Sequence, residues 1–178
     1  MKGNRKPVKV PVVLQMEALE CGAASLTMIL AYYGKWVPLE AVRVACGVSR
    51  DGSNALNVVK AAKGYGLNYQ AYWYDTETLR QKVNLPAVLF WNHNHFLVLN
   101  GFDGNYADLN DPASGHVRMP MEEFERSYSG LCIEFSTGES FVPGGKPRST
   151  FSYLKDSIRH NRGLMALVMI TGALTMVA

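Results

Sequence analysis

Residues 15–34 read QMEALECGAASLTMILAYYG. Apolar side chains recur there at helical spacing from Met16 onward, and Gly34 supplies a C-terminal stop, so the pattern predicts an amphipathic helix over 16–34. Cys21, followed by Gly22, sits near its start. The thiol is either a small apolar filler or a reactive group that the helix holds for chemistry. The unpaired N–H groups of a helix N-terminus favour a thiolate. Cys21 falls in about the first turn if the helix begins a little later than Met16. Gly22 would let a substrate backbone approach the sulfur closely.

Working outward, Pro38 fits the first turn of a short helix through Ala45, closed by Gly47. Ser53 is placed to cap a third helix running to about Gly64 or Gly66. The character then changes. LNYQAYWY (67–74) alternates and is aromatic-rich, as a strand does. TETLRQKV (76–83) reads as a short helix. PAVLFW (86–91), HFLVLNGF (95–102), NYADLN (105–110) and HVRMP (116–120) are strand-like runs separated by Asn, Gly and Asp turns. MEEFERSY (121–128) is a helix with acidic residues in its first turn, and LCIEFS (131–136) is strictly alternating. Helices first and an antiparallel sheet after is an α+β pattern, with an N-terminal helical part packed on the sheet. Residues 1–140 are assigned to this domain.

FVPGGKPRST (141–150) reads as a linker. FSYLKDSIRHNR (151–162) follows as an amphipathic helix, and GLMALVMITGALTMVA (163–178) carries no charge. A bilayer span takes about 20 apolar residues. The run is either a terminal helix packed on the domain or the start of a membrane helix in a longer protein. The second reading is preferred, because Lys155, Arg159 and Arg162 would hold that side in the cytoplasm. The expected location is therefore the cytoplasmic face of the cell membrane.

A chain of 178 residues can bury one sizeable core, and 48% hydrophobic with 19% charged residues is an ordinary globular balance. The net charge of +3, with no basic patch interleaved with aromatics, gives no support for a nucleic-acid partner. Cys21, Cys46 and Cys132 are too few and odd in number for a disulfide framework, which suits a reducing compartment. The N-terminal MKGNRKPVKVPVVLQ is too briefly apolar for a signal peptide. GGKP lacks the spacing of a phosphate loop, so ATPase activity is expected outside this chain.

A nucleophilic Cys21 needs a base, an orienter and an oxyanion donor. Among four histidines, His95 is the best base, at the edge of an apolar strand. His93 shares its face if the strand already runs there, but no Cys or carboxylate cluster completes a metal site. His116 and His160 have no comparable setting. Asp111, in LNDPASG, can accept the second imidazole N–H; Asn110 is its rival, and an ordinary Asx turn before Pro112 is the plainer reading. Gln15, six residues before the thiol, can offer a side-chain NH2 to an oxyanion or simply cap the helix. Cys46 and Cys132 read as buried packing.

Together these residues resemble a known family. Gln-x5-Cys-Gly-x-Ala-Ser-Leu-x-Met-Ile-x2-Tyr-Tyr-Gly, then His-Phe-Leu-Val-Leu, then Asp-Pro-x-x-Gly, is similar to the N-terminal peptidase domain of bacteriocin-processing ABC transporters. The resemblance spans about residues 8–138. It implies a papain-like cysteine protease fold, with Cys21 as nucleophile, His95 as base, Asp111 as orienter and Gln15 as oxyanion donor. It also implies removal of leader peptides after a Gly-Gly or Gly-Ala site. Cleavage would need no cofactor or metal, whereas export would use ATP in a nucleotide-binding domain elsewhere in the longer protein. The expected partners are the precursor peptide, the membrane, and the transporter and ATPase domains of a homodimer. Two positions depart from the commonest motif: Glu20 stands where Asp usually precedes the cysteine, and Ser25 where a second cysteine is frequent. Neither removes a catalytic group. The alternatives are a peptidase-like module that only binds precursor peptide, and a papain-like amidase or acyltransferase.

Overall fold

The computed structural model describes residues 6–48, 52, 54–147 and 162–163. The chain divides into two compact units, Met1–Gly145 and Lys146–Ala178. The first contains every element discussed below. The helix and membrane segment expected over 151–178 lie outside the described residues, apart from Arg162 and Gly163. Among the described residues no helix is long and apolar enough to cross a membrane.

The elements run α1 (Cys21–Tyr32), α2 (Leu39–Ala45), α3 (Ala55–Gly64), β1 (Leu67–Trp73), α4 (Thr76–Lys82), β2 (Ala87–Trp91), β3 (His95–Asp103), β4 (Tyr106–Asp111), β5 (Gly115–Pro120), α5 (Met121–Ser127) and β6 (Tyr128–Thr137). The strands form one antiparallel sheet in the order β1-β6-β2-β3-β4-β5. The α+β reading therefore holds, helices first and sheet after.

Two differences from the sequence reading concern α1. The helix starts at Cys21, not Met16, because the Glu20 carboxylate accepts the backbone N–H groups of Met16 and Glu17 and closes a turn there. Nor is it amphipathic: Cys21 through Ala31 are all buried, and a helix apolar all round belongs inside a protein. The third helix is capped by Asn54, whose side chain accepts from Asn57 N; Ser53 lies outside the described residues. β6 is longer than its alternating segment because it lies between β1 and β2 and pairs with both, with a register shift between Leu89 and Trp91 on the β2 edge.

The sheet buries both faces. Val88, Phe96, Val98, Ile133 and Phe135 pack with α1, α2 and α3 on one side. Leu89, Leu97, Leu99, Phe102 and Cys132 pack with Leu79 of α4 and Phe124 of α5 on the other. That is why β2 and β3 read as almost continuous apolar runs: successive residues point to opposite faces, and neither face is wet. Residues 141–145 return to the far end of α1. Gly144 accepts from Trp36 N at 2.7 Å and donates to Gly34 O at 3.1 Å. At Gly145, with φ +79°, a Cβ would lie 2.3 Å from Trp36 O, so only glycine fits.

Phe102 is fully buried and meets Phe124 edge-on at 5.8 Å between ring centroids. Phe102→Ala should lower the unfolding free energy by roughly 3–5 kcal/mol in urea denaturation, as a cavity of aromatic size does. A loss below about 1 kcal/mol would mean that this face of the sheet can collapse around the gap.

Candidate active site

Three elements bring the chemistry together at one end of the sheet. Cys21 is the first residue of α1, His95 the first of β3 and Asp111 the last of β4. α1 packs across β3, and β3 and β4 are an antiparallel hairpin, so the histidine and carboxylate sit side by side at its open end. The turn before His95 is held firmly. Asn92 and His93 have φ of 46° and 58°, Asn92 N donates to Ser127 O, and His93 N donates to Ser129 Oγ. His93 thus belongs to a left-handed turn and not to the strand, and it does not share the face of His95.

His95 Nε2 lies 2.7 Å from Asp111 Oδ1. The Cys21 thiol neighbours the same imidazole, and each group shifts the titration of the other. Burial works against charge on Cys21, but the hydrogen bond to His95, the Phe96 and Gly22 N–H groups and the imidazolium charge outweigh it and hold the thiol below its ordinary range. For His95, burial opposes protonation, yet its bonds to Cys21 and Asp111 raise it above the usual imidazole value. Burial likewise opposes the Asp111 carboxylate, but the Ala113 N–H, His95 and the Ser114 hydroxyl keep it ionised well down in pH. A lowered thiol beside a raised imidazole is a pair of shifts in the direction of a thiolate–imidazolium pair.

Asp111 is at once an Asx turn and a partner of His95, so the plainer sequence reading and the chemical one coincide. Oδ1 accepts from Ala113 N at 2.9 Å while Oδ2 accepts from Ser114 Oγ at 2.8 Å. Ser114 was not singled out in the sequence, although Asp followed three residues later by Ser is a turn signature that could have found it. Asn110 points elsewhere: its amide donates to Val10 O at 3.0 Å and accepts from Asn100 Nδ2 at 3.0 Å. It ties down the N-terminal segment instead of the base.

That segment carries Gln15, whose N–H donates to Pro112 O at 2.8 Å in the turn beside Asp111. Gln15 Oε1 is buried without a hydrogen-bond partner among the described residues. The α1 N-terminus has no side-chain cap, and the Gly22 N–H there favours the Cys21 thiolate. Glu20, next to Cys21, is buried and hydrogen-bonded to Arg43 of α2 at 2.9 Å. Neither residue of that pair was assigned a role from sequence.

The other thiols differ sharply. Burial alone pushes Cys46 up to about 11, and burial followed by the Glu134 charge pushes Cys132 higher still. His116 lies by Asp108 and Asn110, outside this cluster, and His160 is outside the described residues. No group of three His, Cys, Asp or Glu able to hold a metal occurs among the described residues.

The model of the peptidase C39 family matches residues 9–140, and the chain belongs to that family. A solved double glycine motif protease from an AMS/PCAT transporter, in complex with its leader peptide, is 62% identical. It superposes with a TM-score of 0.73, covering 75% of this chain and 95% of that one. The peptidase domain of Streptococcus ComA, a bifunctional ABC transporter of a quorum-sensing pathway, shares the fold at 24% identity and a TM-score of 0.69, with 72% and 99% covered. Among curated relatives, the probable microcin-H47 secretion/processing ATP-binding protein MchF of Escherichia coli is 32% identical over 75% of this chain and 19% of its own length. The colicin V secretion/processing ATP-binding protein CvaB of Escherichia coli is also 32% identical, over the same shares. This chain spans about a fifth of the length of these relatives.

The opposite shifts fix the sign of a pH experiment. A thiolate–imidazolium pair requires a pH above the lowered Cys21 pKa and below the raised His95 pKa. At about pH 6, iodoacetamide should modify Cys21 at least roughly a hundredfold faster than Cys46 or Cys132, because few ordinary thiols are ionised there. Asp111→Asn removes a negative charge from beside His95, lowers the imidazole pKa, and should move the upper pH limit of the charged pair downward. Equal alkylation of the three thiols would show that no such pair forms.

Proposed function

We propose that this domain is a cysteine endopeptidase that removes the leader from a precursor peptide after a Gly-Gly or Gly-Ala pair. The observation that carries the proposal is the 2.7 Å contact of His95 Nε2 with Asp111 Oδ1, with the Cys21 thiol neighbouring the same imidazole. The family membership and the 62% identity to a double glycine motif protease support it.

In this reading the Cys21 thiolate attacks the carbonyl carbon of the second small residue. The oxyanion that forms is met by the Gln15 side-chain NH2 and the Cys21 backbone N–H. His95 imidazolium protonates the departing amine, the C–N bond breaks, and a thioester remains on Cys21. The neutral imidazole then takes a proton from water, whose oxygen attacks the thioester. Collapse of that intermediate releases the leader carboxylate and restores the thiolate–imidazolium pair. Asp111 holds the imidazole ring throughout. A narrow cleft would exclude side chains and so require small residues at the cut, while the leader binds as an amphipathic helix on an apolar groove.

The relatives named as secretion and processing ATP-binding proteins support a reading in which this domain belongs to a transporter and works at the cytoplasmic face of the membrane. There it would act in a homodimer, with ATP bound by a separate domain to drive export. Cleavage itself would use Cys21, His95, Asp111 and Gln15 with no cofactor.

A synthetic double-glycine leader joined to a short reporter peptide tests this directly. Cys21→Ala should abolish cleavage while leaving leader affinity within about twofold. Gln15→Ala should lower kcat by roughly 10²–10³ with KM little changed, as loss of one oxyanion donor does. Persistent cleavage by Cys21→Ala would remove the thiol from the mechanism. A wild-type domain that binds leaders and cuts none would make it a docking module.

A further inference from the structure

Glu20 is an anomaly beside a thiol that must ionise. It is 2% exposed, immediately precedes Cys21, and places a buried negative charge at the start of α1. Such a charge would oppose a thiolate if it stood alone, yet it is fully engaged. Burial disfavours it, but Arg43 and two backbone N–H groups hold the carboxyl below its usual range. Oε1 accepts from Arg43 Nη1 at 2.9 Å; Oε2 accepts from Met16 N at 2.9 Å and from Glu17 N at 3.1 Å. The same Arg43 nitrogen reaches Glu17 Oε1 at 3.3 Å.

The place where these bonds land gives them meaning. Met16 N belongs to the peptide group on the C-terminal side of Gln15. The peptide group on its N-terminal side is held by Gln15 N donating to Pro112 O at 2.8 Å, in the turn next to Asp111. Both peptide planes flanking Gln15 are therefore fixed, one to the turn of the base's carboxylate partner and the other to the residue bonded covalently to the nucleophile. Residues 16–19 form bends and turns with exposed side chains and have no regular ladder of their own.

Resting on the peptidase reading of this site, we infer that Glu20, clamped by Arg43, is a positioning residue that sets the distance between Gln15 and Cys21 and thereby assembles the oxyanion site. Glu20 touches no substrate and carries no proton in the reaction. Its side chain spans the loop so that the amide of Gln15 and the sulfur stand in fixed register. Arg43 makes the buried carboxylate tolerable and keeps its charge from opposing the thiolate.

Glu20→Gln is nearly isosteric but cannot present two acceptors, because one end of the amide then faces a donor. With the leader–reporter peptide it should lower kcat by roughly ten- to a hundredfold, the scale of a misplaced catalytic group, and leave KM within about threefold. In a Gln15→Ala background the same substitution should cost less than about twofold, since nothing remains to position. Iodoacetamide alkylation of Cys21 should stay level or quicken, because a negative charge has left its neighbourhood. Glu20→Asp keeps the charge and should recover part of the rate, and Arg43→Met, on a partly exposed side chain, should reproduce the kcat loss in a milder form. An equal loss with and without Gln15, or alkylation slowed in step with kcat, would reduce Glu20 to a fold-stabilising role and overturn the inference. Amide exchange keeps this separate from the peptidase reading. If the wild type cuts no leader, that reading fails, while exchange at Met16 and Glu17 in Glu20→Gln still reports on the clamp. It should quicken at least about tenfold, and unchanged exchange would sink the positioning claim by itself.

Discussion

A reactive thiol buried at the first residue of a helix, as proposed for Cys21, is the constraint on which the rest of this domain depends. Cys21 is only 7% exposed, and burial by itself would keep it protonated. Its pKa is nevertheless lowered, because His95 and the Phe96 and Gly22 N–H groups favour the thiolate. Each condition has a structural consequence. The absence of a side-chain cap requires the loop before α1 to be closed another way, which Glu20 does from below. The imidazolium requires a strand that starts where the helix starts, which packing of α1 on β3 supplies.

The β3–β4 hairpin then sets the geometry of the base. Cross-strand neighbours in an antiparallel pair are held at a fixed spacing, so a histidine opening one strand and an aspartate closing the next can be brought into a 2.7 Å contact with little conformational freedom left. The turn after Asp111 does three things at once. Ala113 and Ser114 bond the carboxylate, and Pro112 O receives Gln15 N, so the carboxylate beside His95 and the backbone of Gln15 share one anchor. The buried polar group of Asn100, Asp108 and Asn110 extends this anchor to Val10, fastening the N-terminal segment to the sheet.

Much of this was legible in the sequence, for physical reasons. Runs such as HFLVLNGF announce a strand because both sheet faces are buried, and Gly, Asn and Asp punctuate them because turns need those residues. The residues by themselves left Asn110 open as a rival, while the family resemblance pointed to Asp111. The pleat separates the two, sending adjacent side chains to opposite faces: Asn110 toward Val10 and Asp111 toward His95. The true start of α1 was also hidden. Helical spacing continues back through Ala18 and Leu19, and what breaks it is a carboxylate reaching backward and an arginine from α2, twenty-three residues along the chain. A local pattern cannot report a partner that only the fold brings near.

The central claim is that Cys21 and His95 rest as an ion pair. Nitrogen-15 NMR of the His95 imidazole across pH, in the wild type and in Cys21→Ser, reads that claim at the atom concerned. The wild-type His95 pKa is expected above the ordinary value near 6.5, falling when the thiol is replaced by a hydroxyl that stays neutral. A His95 that titrates at the ordinary value, or one indifferent to Cys21→Ser, would contradict it.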